Sequence, residues 1–237
     1  MPKLIYFLVG LLGINLIIGV HELGHFLMCR AFKVAVPEVS IGIGPTLASH
    51  QFATTKLMLA LVPLGGYVEI LGMRAPAPFF ENVSFASKPL NQKLLILLGG
   101  IIGNIVTAFF LLFFVPFRRR RRNPEPEVSP ENPGDTGPDE SGIIGPIGIF
   151  ALIARSAHHG ISTYLRFLGV LSLSLAVFNL LPIPLLDGGQ ILITIIEYLR
   201  GSPFDNTWYN LIMLLGTIPL IFLLLKAMRS DIRKLIA

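Results

Sequence analysis

Apolar residues along the chain fall into four long runs separated by quite different material. From Leu4 to Val20 the only interruptions are Tyr6 and Asn15, and the run is long enough to cross a bilayer as a helix. Further runs cover about Leu94 to Phe117, Ser162 to Leu181, and Trp208 to Met228, the last with no charge before Lys226. Between the first and second, residues Arg30 to Lys93 break into short apolar stretches: Val39–Gly44, Leu57–Val62 and Tyr67–Leu71. Pro37, Gly44, Pro45, Pro63, Gly65 and Gly66 punctuate them, a pattern that predicts strands and hairpins. These stretches are too apolar for a water-facing sheet. They are expected against or within the membrane beside the first helix, where non-helical backbone is tolerated only if protein or a cavity lines it. The expected fold is an α-helical polytopic membrane protein. It has about four transmembrane helices and a membrane-associated β-hairpin region between the first and second.

The material between the second and third runs differs again. Arg118 to about Ser141 is rich in Arg, Pro and Glu with almost nothing apolar, which predicts a disordered linker. Ile143 to Ala157 reads as an interfacial or re-entrant segment. His158 and His159, being adjacent, share no helix face and read as a wetted junction rather than a metal pair. Ile191 to Leu199 is a short amphipathic helix. The chain therefore divides into a first half over residues 1–117, a linker over 118–142 and a second half over 143–237.

Composition agrees: the chain is 53% hydrophobic and 14% charged, against about 25% charged for soluble domains. The net charge of +5 comes partly from Arg118–Arg122. In a membrane protein such a run meets lipid head groups or sets topology, so no nucleic-acid partner is expected. The single cysteine, Cys29, excludes an internal disulfide. It lies four residues after His25, where a thiolate ligand is conceivable and a small apolar filler the better reading. The first segment is not a cleaved signal peptide: Lys3 is its only leading charge and its apolar stretch is too long.

The chemistry sits where hydrocarbon should be. Val20-His21-Glu22-Leu23-Gly24-His25 ends the first run, although an ionised side chain at mid-bilayer costs about 2.5–3.5 kcal/mol. On a helix His21 and His25 share a face, the H-E-x-x-H arrangement in which both imidazoles bind zinc and the glutamate acts as general base. A wetted helix end is the bland alternative. Far downstream, Pro182 and Pro184 break the third helix while the chain is still apolar, leaving Asp187 on irregular backbone near membrane depth. A catalytic zinc site uses three protein ligands and keeps a position for water. His21, His25 and Asp187 supply that set, with Glu22 as base. Asn179, and after it Asn104, are candidate substrate-orienting or oxyanion donors. The glycine-rich strand around Gly65, Gly66 and Tyr67 is a candidate edge for a substrate strand.

These motifs resemble a known family. His21-Glu22-Leu23-Gly24-His25, Gly100-x-x-x-Asn104 and Asn179-x-x-Pro182-x-Pro184-x-Leu186-Asp187-Gly188 look like the hallmarks of the site-2 protease family of intramembrane zinc metalloproteases. Pro63-Leu64-Gly65-Gly66-Tyr67-Val68 resembles the membrane-associated β-region of its bacterial branch, the regulator-of-sigma-E protease-like enzymes. The resemblance implies a metal-binding Asp187, a catalytic Glu22 and one zinc ion per chain. It also implies a transmembrane protein substrate shortened beforehand by another protease, a multi-pass location in a bacterial inner membrane, and release of a membrane-held regulator. That branch carries PDZ domains between the second and third spans, and Arg118–Ser141 is too short for one. The family would place the β-region and Asp187 in the cytoplasm, whereas the Lys and Arg distribution favours the reverse. A transporter or metal carrier would also carry in-membrane His, Glu and Asp beside a broken helix, but the sequence has no internal repeat. An inactive scaffold would not need His21, Glu22, His25 and Asp187 intact.

Overall fold

The structure is a computed structural model, and it describes residues 2–74, 78–116 and 145–236. Helix α1 (Pro2–Ala31) leads into two strands, β1 (Glu38–Phe52) and β2 (Thr55–Val68), then a 3-10 turn at Pro78–Val83. Helices α2 (Leu90–Phe113), α3 (Pro146–His158), α4 (Ile161–Asn179), α5 (Asp187–Arg200) and α6 (Asn206–Ile236) follow. Four helices are long and apolar enough to cross a membrane, over Leu8–Ala31, Leu90–Phe113, Ile161–Asn179 and Asn206–Arg233. The expected fold class holds. The expected linker, including Arg118–Arg122, lies outside the described residues.

Helix α2 occupies the middle, packed on one side against α1 and on the other against α4. It is suited to that place because Gly99, Gly100 and Gly103 replace bulk on one face and, in lipid, close backbone approach is what drives helix association. Two apolar clusters flank the crossing. Cys29, Val34, Val36, Phe85, Ile96 and Leu97 pack under the β-region, while Ile17, Ile153, Tyr164 and Leu168 join α1, α3 and α4. Polar groups at these contacts are used up locally. Tyr164 donates to the Val9 carbonyl at 2.8 Å. Arg166 donates to the Leu112 and Val115 carbonyls at 3.0 and 2.9 Å, satisfying one carbonyl of the last turn of α2 and one just beyond it.

The β-region differs in extent from the short runs expected. It is one antiparallel β1–β2 sheet, with strands of 15 and 14 residues. The register shifts within β1, so that Ser40 lies opposite both Met58 and Tyr67, and Ile41 opposite both Leu59 and Gly66. Gly42 and Gly44, at φ 91° and 97°, supply the backbone conformations such shifts need. Pro63 does not end β2: it has no N–H to leave unpaired, and its carbonyl accepts from Asn15 Nδ2 of α1 at 2.7 Å.

Helix α6 is attached sparsely. At its far end the Asp231 carboxylate is 4% exposed and accepts from the Gly145 and Gly148 N–H groups at 3.0 and 2.9 Å, capping α3. Near its start Tyr209 donates to Gln190 Oε1 at 3.1 Å. Most of its apolar side chains face outward.

Candidate metal centre

Helical periodicity places His21 and His25 one turn apart on the buried face of α1, 7% and 6% exposed. Their Nε2 atoms are 3.2 Å apart. The third member arrives from the other half of the chain: Asp187 Oδ2 lies 3.1 Å from His21 Nε2 and 3.4 Å from His25 Nε2. Asp187 is not on irregular backbone as expected; the break ends at Leu186, and Asp187 opens α5. Two hydrogen bonds build that corner, Leu186 N–H to the Ile183 carbonyl and Gln190 Nε2 to the Pro184 carbonyl. They aim the first turn of α5 back at α1.

Does this cluster fit zinc? A tetrahedral ion with ligand bonds of about 2.0–2.1 Å holds its donors about 3.3 Å apart. The three separations here are 3.1, 3.2 and 3.4 Å. Asp187 Oδ2 is buried and has no well-formed hydrogen bond despite the two imidazoles beside it. Three lone-pair atoms facing one another in a dry site is the donor set of a cation. His25 is oriented for it: its Nδ1 lies 2.9 Å from the Ile96 carbonyl, so Nδ1–H is donated there and Nε2 keeps its lone pair. The residues fit zinc.

Glu22 projects from the next position on α1. It lines an apolar groove of about 280 Å³ together with Ile18, Phe26, Ser40, Gly65 and Gly66. The Val68 N–H interacts with its carboxylate. A Cβ on Gly66 would stand 3.3 Å from Glu22 Cγ and 2.9 Å from the Ser40 carbonyl, so strand β2 lies close against the glutamate.

The remaining candidates separate. Gly65 and Gly66 are at the groove, but the Tyr67 hydroxyl bonds to Glu38 on an exposed face, a contact that pushes the phenol up to about 12. Asn104 is fully buried, with Nδ2 3.2 Å from His21 Nδ1, behind the imidazole rather than on the metal side. Asn179 Nδ2 donates to the Leu175 carbonyl at 3.0 Å; among the described residues it makes no hydrogen bond to the cluster. Cys29 is buried among apolar side chains, outside the cluster. His158 and His159 are exposed, their rings 5.9 Å apart.

Sequence reasoning missed Ser172 and gave Gly100, quoted in the Gly100-x-x-x-Asn104 motif, no role of its own. Ser172 of α4 reaches Asn104, its Oγ 3.0 Å from the Asn104 carbonyl and 3.3 Å from Oδ1. Gly100 lies against the Nε2 edge of both imidazoles: a Cβ there would clash with His25 Nε2 and stand 2.5 Å from His21 Cε1 and 2.6 Å from His21 Nε2. The Gly-Gly pair was visible in α2; which glycine faces the histidines depends on how α2 is rotated.

Comparison with known proteins places this geometry. A candidate zinc metalloprotease of Fusobacterium nucleatum is 44% identical over 107 residues, covering 45% of this chain and 31% of that protein. Others from Campylobacter jejuni and Thermotoga maritima are 41% identical over 115 residues and 40% over 116, covering 47% and 48% of this chain and 31% and 22% of theirs. Each match spans a third or less of the relative's length. The sequence profile of one family covers residues 9–122 and 134–223, which takes in the two histidines, Glu22 and Asp187 together. With ligand atoms from both halves converging and the profile spanning both, the chain belongs to peptidase family M50.

Proposed function

We propose that this protein is an intramembrane zinc metalloendopeptidase of the site-2 type. It hydrolyses peptide bonds within or near transmembrane helices of membrane proteins. The supporting observation is the meeting of His21, His25 and Asp187 ligand atoms beside Glu22, with both histidines and Glu22 on a helix apolar enough to span a bilayer. His21 and His25 of α1 and Asp187 of α5 hold one zinc ion. An ion held there would supply Lewis acidity to the scissile carbonyl and to the attacking water. Glu22 accepts the proton of the attacking water and delivers it to the leaving amine. The groove beside Glu22 excludes bulk water and receives an unwound stretch of substrate, with the Gly65–Gly66 backbone of β2 as its strand partner. Asn179, at the helix break before Asp187, serves as substrate-orienting donor. Residues 1–117 and 143–237 act as two catalytic halves joined by the segment between them.

The substrate in this reading is a membrane protein already shortened by another protease, and its cleavage releases a membrane-held regulator. The setting is a bacterial inner membrane. The deciding experiment reconstitutes the protein with a model transmembrane substrate and compares wild type with Glu22→Gln, with zinc quantified in both. Zinc stays bound in the variant while cleavage falls about 10²–10⁴-fold, the worth of a positioned general base. Cleavage surviving the substitution would remove Glu22 from its role. Wild-type protein that moved zinc across liposomes without cutting the helix would instead be a metal carrier.

A further inference from the structure

We propose that Asn104 and Ser172 form a relay that fixes the tautomer and ring orientation of His21. Asn104 is then a positioning residue for the metal rather than an oxyanion donor. This rests on the zinc reading of the cluster. His21 Nε2 can bind a cation only if its Nδ1 carries the proton, and a protonated Nδ1 needs an acceptor. The atom facing Nδ1 is the Asn104 amide, 3.2 Å away. A half-turn of that amide about its terminal bond exchanges Oδ1 and Nδ2 without moving its shape. With Oδ1 toward His21, Nδ1–H donates to it. The Asn104 NH₂ then faces Ser172 Oγ, across the position now 3.3 Å away, and donates to that hydroxyl. The Ser172 hydroxyl in turn donates to the Asn104 backbone carbonyl at 3.0 Å. The His21 Nδ1–H, one amide N–H of Asn104 and the Ser172 hydroxyl each then have an acceptor, which matters because Asn104 and Ser172 are both 0% exposed.

The two histidines are thereby oriented by different means. His25 leans on the Ile96 backbone carbonyl, which no substitution removes. His21 leans on a side chain from α2 that is itself held by a side chain from α4. The relay therefore ties metal affinity to the packing of three spans.

The test measures zinc affinity of the purified full chain by competition with a chromophoric chelator. The d–d absorption of the cobalt-substituted protein and thermal unfolding without metal are recorded alongside. Asn104→Leu keeps the branched shape and removes the acceptor, and affinity falls about 10–100-fold with an altered cobalt spectrum. Asn104→Asp keeps an acceptor oxygen, and both affinity and spectrum stay near wild type. Ser172→Ala frees the amide to turn, and affinity falls at least about threefold. Asn104→Leu binding as tightly as wild type, or Asn104→Asp losing as much as Asn104→Leu, overturns the relay. Should Asn104→Leu not fold, Ser172→Ala decides: unchanged affinity overturns the proposal. Wild type that binds no zinc overturns the reading of the cluster itself, a separate outcome.

Discussion

Gly24 of α1 and Gly99 of α2 meet backbone to backbone: a Cβ on Gly24 would lie 2.6 Å from the Gly99 carbonyl carbon, and one on Gly99 2.6 Å from the Gly24 carbonyl oxygen. Gly24 immediately precedes His25 and Gly99 immediately precedes Gly100, the residue against the Nε2 edge of both imidazoles. The closeness of this crossing sets the depth of the metal site. Gly24→Ala or Gly99→Ala has no flexible side chain to displace, so the helices must part. The expected cost is about 1–3 kcal/mol of stability, together with weakened zinc binding, read by denaturant unfolding in detergent and metal analysis.

Removing the carboxylate separates metal binding from folding. In Asp187→Ala the corner at Pro182–Pro184 is still held by Gln190, through the Pro184 carbonyl and Tyr209. Zinc affinity falls by more than the roughly 10–100-fold typical of partners one bond further out, while helix content by circular dichroism is unchanged. Equal zinc content in the variant and wild type would exclude Asp187 as a ligand.

Gly66 tests the groove. The added bulk in Gly66→Val meets Glu22 and the Ser40 carbonyl and pushes β2 off α1. Cleavage in the reconstituted assay drops at least about tenfold, in line with the cost of small misplacements in catalytic geometry. Zinc content holds. Cleavage at the wild-type rate would place the substrate elsewhere.

The periodicity of the first helix made His21, Glu22 and His25 legible, and the proline-broken third helix made Asp187 legible, because both violate what a bilayer tolerates. The β-region was legible as strands but not in extent: short apolar runs do not reveal that Asn15 satisfies Pro63 and lets β2 continue. The behaviour of Asn104 was hidden for a different reason. Its neighbours come from α1 and α4, and which of them it meets depends on helix rotation, which a run of apolar residues leaves open. Asp231 went unread beside Arg229 and Arg233, where it looks like an ordinary interfacial charge.

Asp231 carries a stability prediction of its own. Its carboxylate takes two N–H groups at the start of α3 and is α6's anchor there. Asp231→Ala leaves those donors unpaired and lowers stability by about 1.5–3 kcal/mol, the range for hydrogen bonds to a charged group. Thermal unfolding measures it, and zinc affinity of the folded fraction is unaffected.

Membrane orientation can be read at the tip of the hairpin, where Thr54 is exposed. With Cys29 buried, Thr54→Cys gives one reactive thiol. A membrane-impermeant reagent applied to intact cells leaves it unlabelled, and labelling appears once the membranes are opened. Labelling from outside would put the β-region on the opposite face.

The division of the ligand set also has a consequence for biosynthesis. Ribosomes deliver His21, Glu22 and His25 about 160 residues before Asp187. While the first two helices enter the bilayer, the nascent chain holds Glu22 and two of the three donor residues. The donor set is complete only when the start of α5 folds back upon α1. On the proposed reading, the peptidase site is therefore unformed until both halves of the chain are in the membrane.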